Sequence, residues 1–533
     1  MRVTNNMILR NSSYNINGTK GNVNTSMNQM TTQKKIEKPS DDPVVAIRSL
    51  RLSTSVSRVD QYYKKNIPDA ESWLDVTETA LTNMKSLITD VRTQCVNGST
   101  DTLNQDDRNT ILKQLKSLQT QLYAEGNADY AGRTVFTGYR TDQDLVYTEN
   151  EEKTSYNIDQ SFTYEDVESF RYYTGSVEVP STQAEVLGNT ISDTTQTNYY
   201  RVVSAYGDIG EVNELSFSYE TATGKHSVTY TRMMDGTYSQ QIRDYAPDGG
   251  SYTTSIDARK LVTYESEEEW AAATGLKEVA DGDMVFIKET GQLILGDDIA
   301  AEIRSNHATI DMNYDKTGFE KGELKPEYYF NCTNKTDPVN PVTYAKYDAD
   351  GNEIGYDINY TVANSQELTV NLEASDAFNS DLQRDIDDMI RSVSNAISAH
   401  DKLDTLKSMK SEAQYATEEY QTKLDEWITA AQKEADYADD HLQKLFSTEI
   451  GKVDEYLEKI NLSITQVGCT VDQLKLTETR MSNQQETLEE LQSENDNLDL
   501  SEIIINYTAM YNAYQSSLTA AGKLSGMTLL NYL

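Results

Sequence analysis

Cysteine, histidine and proline are scarce in this 533-residue chain, and each scarcity removes a class of protein. The three cysteines, Cys95, Cys332 and Cys469, lie far apart and form no Cys-x-x-Cys pair. An odd, dispersed set argues against both a disulfide framework and a thiolate zinc site. Cys95 and Cys469 fall in helical stretches, where a small apolar side chain is the ordinary role. The four histidines, His226, His307, His400 and His441, include no His-Glu-x-x-His, so the paired imidazoles of a metalloprotease helix are missing. Asp348-x-Asp350-x-Asn352 starts like a calcium loop. Glu353 then stands where the loop needs Gly and Asn359 where it needs Glu, which leaves a hairpin turn. No glycine-rich phosphate cradle occurs, and carboxylates are too abundant for any two to be singled out as an acid–base pair. The chain therefore reads as non-enzymatic, with no cofactor and no metal. Long apolar runs are also lacking. MRVTNNMILR contains none beyond Met7-Ile8-Leu9, so the opening segment reads neither as a cleaved secretory leader nor as a membrane anchor. Positive charge is short as well, 47 Lys+Arg against 86 Asp+Glu for a net −39. Residues 1–140 carry 18 basic and 14 acidic side chains, so the acidic excess lies beyond them. Such a surface repels phosphate backbones and anionic lipid, which excludes nucleic acid and membrane partners, and serves solubility.

The two ends of the chain are alike, and neither resembles the middle. Val3, Met7, Arg10 and Tyr14 follow 4-3-4 spacing, and Val23, Met27 and Met30 follow 4-3. Yet the first 28 residues hold eight Asn and two Gly, which are poor helix formers. Apolar spacing without propensity predicts a segment that becomes helical only when another helix covers it. Asp41-Asp42-Pro43 supplies a cap followed by proline in a first helical turn. The helix beyond contains Ala70, Leu74, Thr77, Leu81, Met84, Ile88, Val91 and Cys95, a 4-3 seam of coiled-coil type, with Pro68 set to kink or restart it. A second stripe, Ile111, Leu115, Leu118 and Leu122, ends near Gly126.

From about 134 to 376 the period changes to two. Leu215, Phe217 and Tyr219 answer His226, Val228 and Tyr230 across Ala222-Thr223-Gly224, and Met284–Ile287 answers Leu293–Leu295 across Thr290-Gly291. Val342 and Tyr344 are expected to face Ile354, Tyr356, Ile358 and Tyr360 across Asp350-Gly351. A short helix near 267–273 interrupts the strands. After Pro341 there is no further proline. Leu382, Ile386, Met389, Val393 and Ala396 form one stripe; Leu457, Ile460, Ile464, Val467, Val471 and Leu474 form another. Ile503, Tyr507, Met510, Tyr514, Leu518 and Ala521 form a third. The closing Leu529-Leu530-Asn531-Tyr532-Leu533 calls for a partner to bury it.

These features resemble the flagellin family of axial proteins, and its hook–filament junction branch more than its filament subunits. The likeness rests on Met1-Arg2-Val3-Thr4 with Met7, and on Lys38-Pro39-Ser40-Asp41-Asp42-Pro43, where filament flagellins have Asp-Asp-Ala-Ala-Gly. It rests further on Asn127 to Gly132 with Phe136-Thr137-Gly138, on Val467-Gly468 and on the closing pentapeptide. Cys469-Thr470 departs from the family's Ala-Arg, Asn531 stands where Asp is common, and residues 400–445 look like extra helix. The likeness covers about residues 1–140 and 450–533, well under half the chain.

The resemblance implies an elongated α+β fold. Flagellin-like N- and C-terminal helices would pair as a coiled-coil bundle around an inserted, mainly antiparallel β outer domain. The expected divisions are an assembly segment at 1–43, ordered only on assembly; helical bundles at 44–133 and 377–499; a β-rich outer domain at 134–376; and an assembly helix at 500–533. It implies a subunit interface through Val3, Met7, Tyr14, Ser40, Asp41, Asp42, Pro43, Ile503, Tyr507, Met510, Tyr514, Leu518, Ala521 and Leu533. The implied partners are copies of the chain itself in a closed ring of about eleven, the hook-side junction protein, flagellin, and an export chaperone of the FlgN type. The implied location is the flagellum, reached through its type III export channel without a cleaved leader. Two other readings stay open: a filament subunit, and an adhesin whose 35 tyrosines bind glycans on a helical stalk. Strand propensity accounts for most of those tyrosines.

Overall fold

The computed structural model describes residues 5–100, 103–222, 224–245, 252–255, 259–275, 277–348 and 351–526. Within them the chain is α+β. Its helices are α1 (Asn5–Thr32), α2 (Pro43–Gln61), α3 (Ile67–Gly98), α4 (Gln105–Leu122), α5 (Gln183–Gly188), α6 (Glu267–Thr274), α7 (Asp297–Ser305), α8 (Ala374–Ala377), α9 (Asp381–Ser411), α10 (Glu418–Asp496) and α11 (Leu500–Gly526). They fall into two units. Unit 1 comprises Met1–Glu71, Asn359–Thr369 and Thr470–Leu533; unit 2 comprises Ser72–Ile358 and Val370–Cys469.

In unit 2 the strands are β1 (Asp129–Tyr130), β2 (Arg133–Thr134), β3 (Glu151–Phe162), β4 (Glu168–Thr174), β5 (Thr195–Val203), β6 (Ile209–Thr221), β7 (Gly224–Arg232), β8 (Tyr238–Tyr245), β9 (Tyr252–Ser255), β10 (Leu261–Tyr264), β11 (Met284–Ile287), β12 (Gln292–Leu295), β13 (Thr309–Phe319), β14 (Asn331–Asn334) and β15 (Val342–Tyr344). β1 pairs with β2, and the rest build two larger sheets, ordered β10-β11-β12-β5-β4 and β15-β14-β3-β13-β6-β7-β8-β9. Every pairing in the two sheets is antiparallel except β10 with β11. Alternating side chains from both sheets, among them Ile158, Val202, Phe217, Val228, Phe286, Leu295 and Tyr314, share one core with Ile299 and Ile303 of α7.

The expected hairpins at 215–230 and 284–295 are β6–β7 and β11–β12. The third is formed only at its turn, where Tyr347 bridges Glu353 antiparallel and the Ile354 N–H donates to the Lys346 carbonyl at 2.8 Å. Val342 and Tyr344 pair with Asn334 and Cys332 of β14, and the backbone from 354 to 358 is irregular. Beyond the turn, side chains help to hold that segment. Asn371 accepts from the Ile358 N–H at 2.7 Å and donates to the Tyr356 carbonyl at 2.9 Å, and buried Lys346 pairs with Glu353 at 2.6 Å. A polar residue that closes a loop leaves no trace in strand periodicity.

Leu74, Thr77, Leu81, Met84, Ile88, Val91 and Cys95 on α3 are all buried, as are Leu382, Ile386, Met389, Val393 and Ala396 on α9. On α10 the buried row is Val453, Tyr456, Ile460, Ser463, Val467, Val471, Leu474, Thr477 and Met481, while Leu457 and Ile464 are half-buried. Ser463 and Thr477 fit the seam because each hydroxyl donates to the carbonyl four residues back, which satisfies a polar group inside the row. A further core joins α9 and α10 to the 177–191 segment. Trp427 lies among Val186, Leu403, Leu406 and Leu424, and its Nε1 donates to the Val186 carbonyl at 3.1 Å.

In unit 1, α2 runs into a π-helical turn at Tyr62–Asn66, with the Ile67 N–H bonded to the Tyr62 carbonyl five residues back. This is the form that the disturbance near Pro68 takes. A small hairpin, β16 (Asn359–Ala363) with β17 (Gln366–Thr369), packs on that turn. Asn66 donates to the Thr361 carbonyl at 2.7 Å, and the Tyr360 hydroxyl donates to Asp69.

Candidate assembly interface

Residues 33–50 set up the candidate interface in unit 1. Asp41 accepts from the backbone N–H groups of Glu37 and Lys38, at 3.1 and 2.8 Å, and so closes the turn around Pro39. Asp42 is the N-cap of α2 and accepts from the Val44 and Val45 N–H groups at 2.9 and 3.2 Å, with Pro43 at the first helical position. Asp42→Ala should therefore cost unit 1 about 1 kcal/mol, with amide exchange rising first at Val44 and Val45. Unchanged exchange there would contradict the cap.

The same link is stitched to the end of α10. Lys35 N–H donates to the Asp496 carbonyl at 2.8 Å, Leu498 N–H to the Gln33 carbonyl at 3.1 Å, and Ser49 to the Asp496 carboxylate at 2.9 Å. An antiparallel bridge between Lys34 and Asn497 completes the tie. Two helices that leave such a tie in opposite chain directions lie side by side, and α1 packs along α11. The covered face of α1 is Ile8, Ser12, Ile16, Thr19, Val23, Ser26 and Met30, half-buried apart from the buried Ser26. On α11, Ile503 is buried and Tyr507, Tyr514, Ser517 and Ala521 are half-buried.

The residues named from sequence divide between covered and open faces. Val3 and Leu533 lie outside the described residues. Met7 is 62 % exposed and Tyr14 78 %, seven residues apart on the side of α1 away from its covered row. Ser40, Asp41 and Pro43 are exposed and Asp42 is half-buried. Ile503, Tyr507, Tyr514 and Ala521 belong to the covered row, whereas Met510 and Leu518 are partly open. Spacing alone missed Ile8 and Ile16, because their row is completed by Ser and Thr, which no apolar template counts. It also missed an open apolar set: Leu9 on α1; Val44, Ile47 and Leu50 on α2; and Ile504, Ile505 and Tyr511 on α11. The run Ile503-Ile504-Ile505 could have signalled it, since three successive residues on a helix cannot share one face. α1, α2 and α11 thus each keep one side inward and leave another, apolar side in water. A lone chain does not hold that much apolar surface open on several helices without a use for it.

Among the described residues no cluster of three His, Cys, Asp or Glu side chains is arranged to hold a metal, and no helix is long and apolar enough to cross a membrane.

Comparison with known proteins finds its likeness at the N-terminal side. Residues 3–141 match the family model of the bacterial flagellin N-terminal helical region. It is similar to the flagellar hook-associated protein 3 of Escherichia coli K12, 31% identical over 115 residues that make up 21% of this chain and 36% of that protein. It is similar to the protein of the same name from Salmonella typhimurium LT2, 30% identical over 115 residues and with the same coverage. The match spans about a third of the length of these curated relatives. The flagellar junction protein FlgL from Legionella pneumophila aligns with 84% of this chain and 99% of its own, at 10% identity and a TM-score of 0.27, which is too low to bear on the fold.

Proposed function

We propose that the chain is a structural subunit of the bacterial flagellum, placed at the junction between hook and filament, where it forms the surface on which flagellin polymerises. The observation that carries this reading is the pairing of α1 with α11 in unit 1, each with a second apolar face left in water, where α1 lies in the region that matches the flagellin N-terminal model. The Pro39–Pro43 signature and the likeness to two hook-associated proteins 3 favour the junction over the filament itself. In this reading the outer faces of α1, α2 and α11 pack against neighbouring copies, and the paired helices wind as a coiled coil. Segments 1–43 and 500–533 serve assembly, 44–133 and 377–499 form the helical frame, and 134–376 forms the outer domain. The other partners are the hook-side junction protein, flagellin and an FlgN-type chaperone, with export through the flagellar type III channel without a cleaved leader.

The test is reconstitution. Purified chain is added to hook fragments already carrying the hook-side junction protein, followed by flagellin, and filament growth is scored by electron microscopy. Growth only after the chain is added supports the junction. Incorporation along the whole filament would make it a filament subunit, and no binding to any hook or filament end would remove the flagellar reading.

A further inference from the structure

At one place in unit 2 more carboxyl groups are buried than cations. Glu449 on α10 is 1 % exposed; its Oε1 lies 3.2 Å from the Lys452 ammonium, and its Oε2 is buried with no hydrogen-bond partner. Every element packed there contributes charged or titratable groups. α10 brings Lys452, Tyr456, His441 and Lys444; α9 brings Asp385, Asp388 and Arg391; β4 brings Glu168 and Arg171; β5 brings Arg201; and α3 brings the Cys95 thiol. Lys452 is 2.7 Å from Glu168 and 3.0 Å from Asp385. Arg201 is 2.6 Å from Glu168 and 2.5 Å from Asp388. Arg391 pairs with Asp388, and the Tyr456 hydroxyl donates to Asp385 at 2.6 Å. Arg171 and Lys444, nearer the surface, are both held by Asp440.

Four carboxyls thus share three cations. Glu168, Asp388 and Asp385 have both oxygens engaged, whereas Glu449 has one oxygen at the far side of a shared ammonium and the other unmet. The shortfall falls on Glu449. A buried carboxylate without its own counter-charge takes up a proton rather than remain charged. The adjoining pocket of about 410 Å³, lined by Glu168, Phe170, Asn198, His441, Ser447 and Glu449 among others, mixes polar and apolar wall and is large enough to admit water and exchange that proton.

We propose that Glu449 is a proton-binding site of the folded chain, filled on folding at neutral pH, and that emptying it at alkaline pH loosens α10 from α9 and from the β4–β5 edge. Burial first, then the Asp385 carboxylate, pushes the Glu449 carboxyl well above its ordinary range against the pull of Lys452. Burial raises Asp385 as well, but Lys452 and the Tyr456 hydroxyl favour its charged form, so the shared proton rests on Glu449. The sign follows from a folded value raised above the unfolded one. Below the unfolded value both states are protonated. Above it the unfolded chain has lost a proton that the folded chain keeps, so stability falls as pH rises, by about tenfold in the folding constant per pH unit. Burial also raises Asp381, to about 6, which places its effect below the window used here.

Trp73, Trp270 and Trp427 all lie in unit 2, so tryptophan fluorescence in urea reports on that unit in the full chain. As pH rises from 7 the native chain should lose folding constant, by up to about tenfold per unit for as long as the folded chain keeps the proton. Glu449→Gln should be flat over the same range and the more stable of the two at pH 8, because a carboxamide mimics the neutral acid. Infrared spectra of the native chain at pH 8 should contain a protonated-carboxyl band that Glu449→Gln lacks. A Glu449→Gln chain that keeps the native slope, or a native chain without that band, would overturn the proposal.

Discussion

Arg201→Met should remove about 3–5 kcal/mol from the stability of unit 2 at pH 7, as much as the larger truncations in its apolar core. Arg201 is only 1 % exposed. Its guanidinium lies 3.5 Å over the Phe170 ring and is held by Glu168 and Asp388. Burial by itself would discharge such a group, but Asp388 and then Glu168 outweigh it and fix the charge. The same pairing works in reverse on the carboxylates. Burial would raise both, yet Arg201 and Arg391 hold Asp388 far below the usual range, and Arg201 and Lys452 hold Glu168 below its own. Depressed carboxylates contribute stability above their unfolded values and lose it as pH falls through the folded ones. Removing the arginine leaves two buried anions short of a partner, so the deficit should be largest at neutral pH and narrow below about pH 5 as they protonate. Adding Glu168→Gln and Asp388→Asn to Arg201→Met should recover most of the loss, because a neutral hydrogen-bonded set carries no desolvated charge. Urea melts followed by tryptophan fluorescence measure all three chains. A loss below about 1 kcal/mol for Arg201→Met, the range of a surface pair, would mean that water reaches the network.

That network could not have been read from the sequence. Its members, at 168, 201, 385, 388, 391, 449 and 452, come from two strands and two helices, and no spacing rule links a strand arginine to a helix aspartate nearly two hundred positions later. The seam of α3 was legible, because Leu74 to Cys95 repeats at 4-3 with apolar residues at almost every position. β6–β7 was legible because strand alternation and a short glycine turn occur together, and β11–β12 because two short, fully buried apolar runs flank a glycine turn. Legibility failed where polar residues occupy structural positions. Ser463 on α10 and Ser12, Thr19 and Ser26 on α1 lie in covered rows, so an apolar template shifted the α1 face toward Met7 and Tyr14. The candidate interface was half visible for the same reason. Its covered half follows helical periodicity, while its open half is hinted at only by the run Ile503-Ile504-Ile505, and the fold decides which of the three is covered: α11 turns Ile503 inward and its neighbours toward water.

The neighbouring isoleucines of α11 separate folding from assembly most sharply. Ile505 is 68 % exposed, so Ile505→Glu removes almost no packing, and the stability of the isolated chain should stay within about 0.5 kcal/mol of native. If copies pack through this face, the same change places a carboxylate in an apolar contact between subunits, a penalty of at least about 2–3 kcal/mol per contact, or roughly a hundredfold in affinity. A closed ring repeats the contact at every interface, so incorporation should fall below detection even where a single contact would only be weakened. Ile503→Ala behaves the other way. It empties a buried position in unit 1 and should cost about 2–5 kcal/mol of stability, with assembly reduced only as far as the folded population falls. Circular dichroism melts of the free chain and co-sedimentation with hook fragments, run on both variants, give four readings. An Ile505→Glu chain that melts like native and still sediments with hooks at native affinity would place the subunit contact elsewhere and leave the open face of α11 without its proposed use.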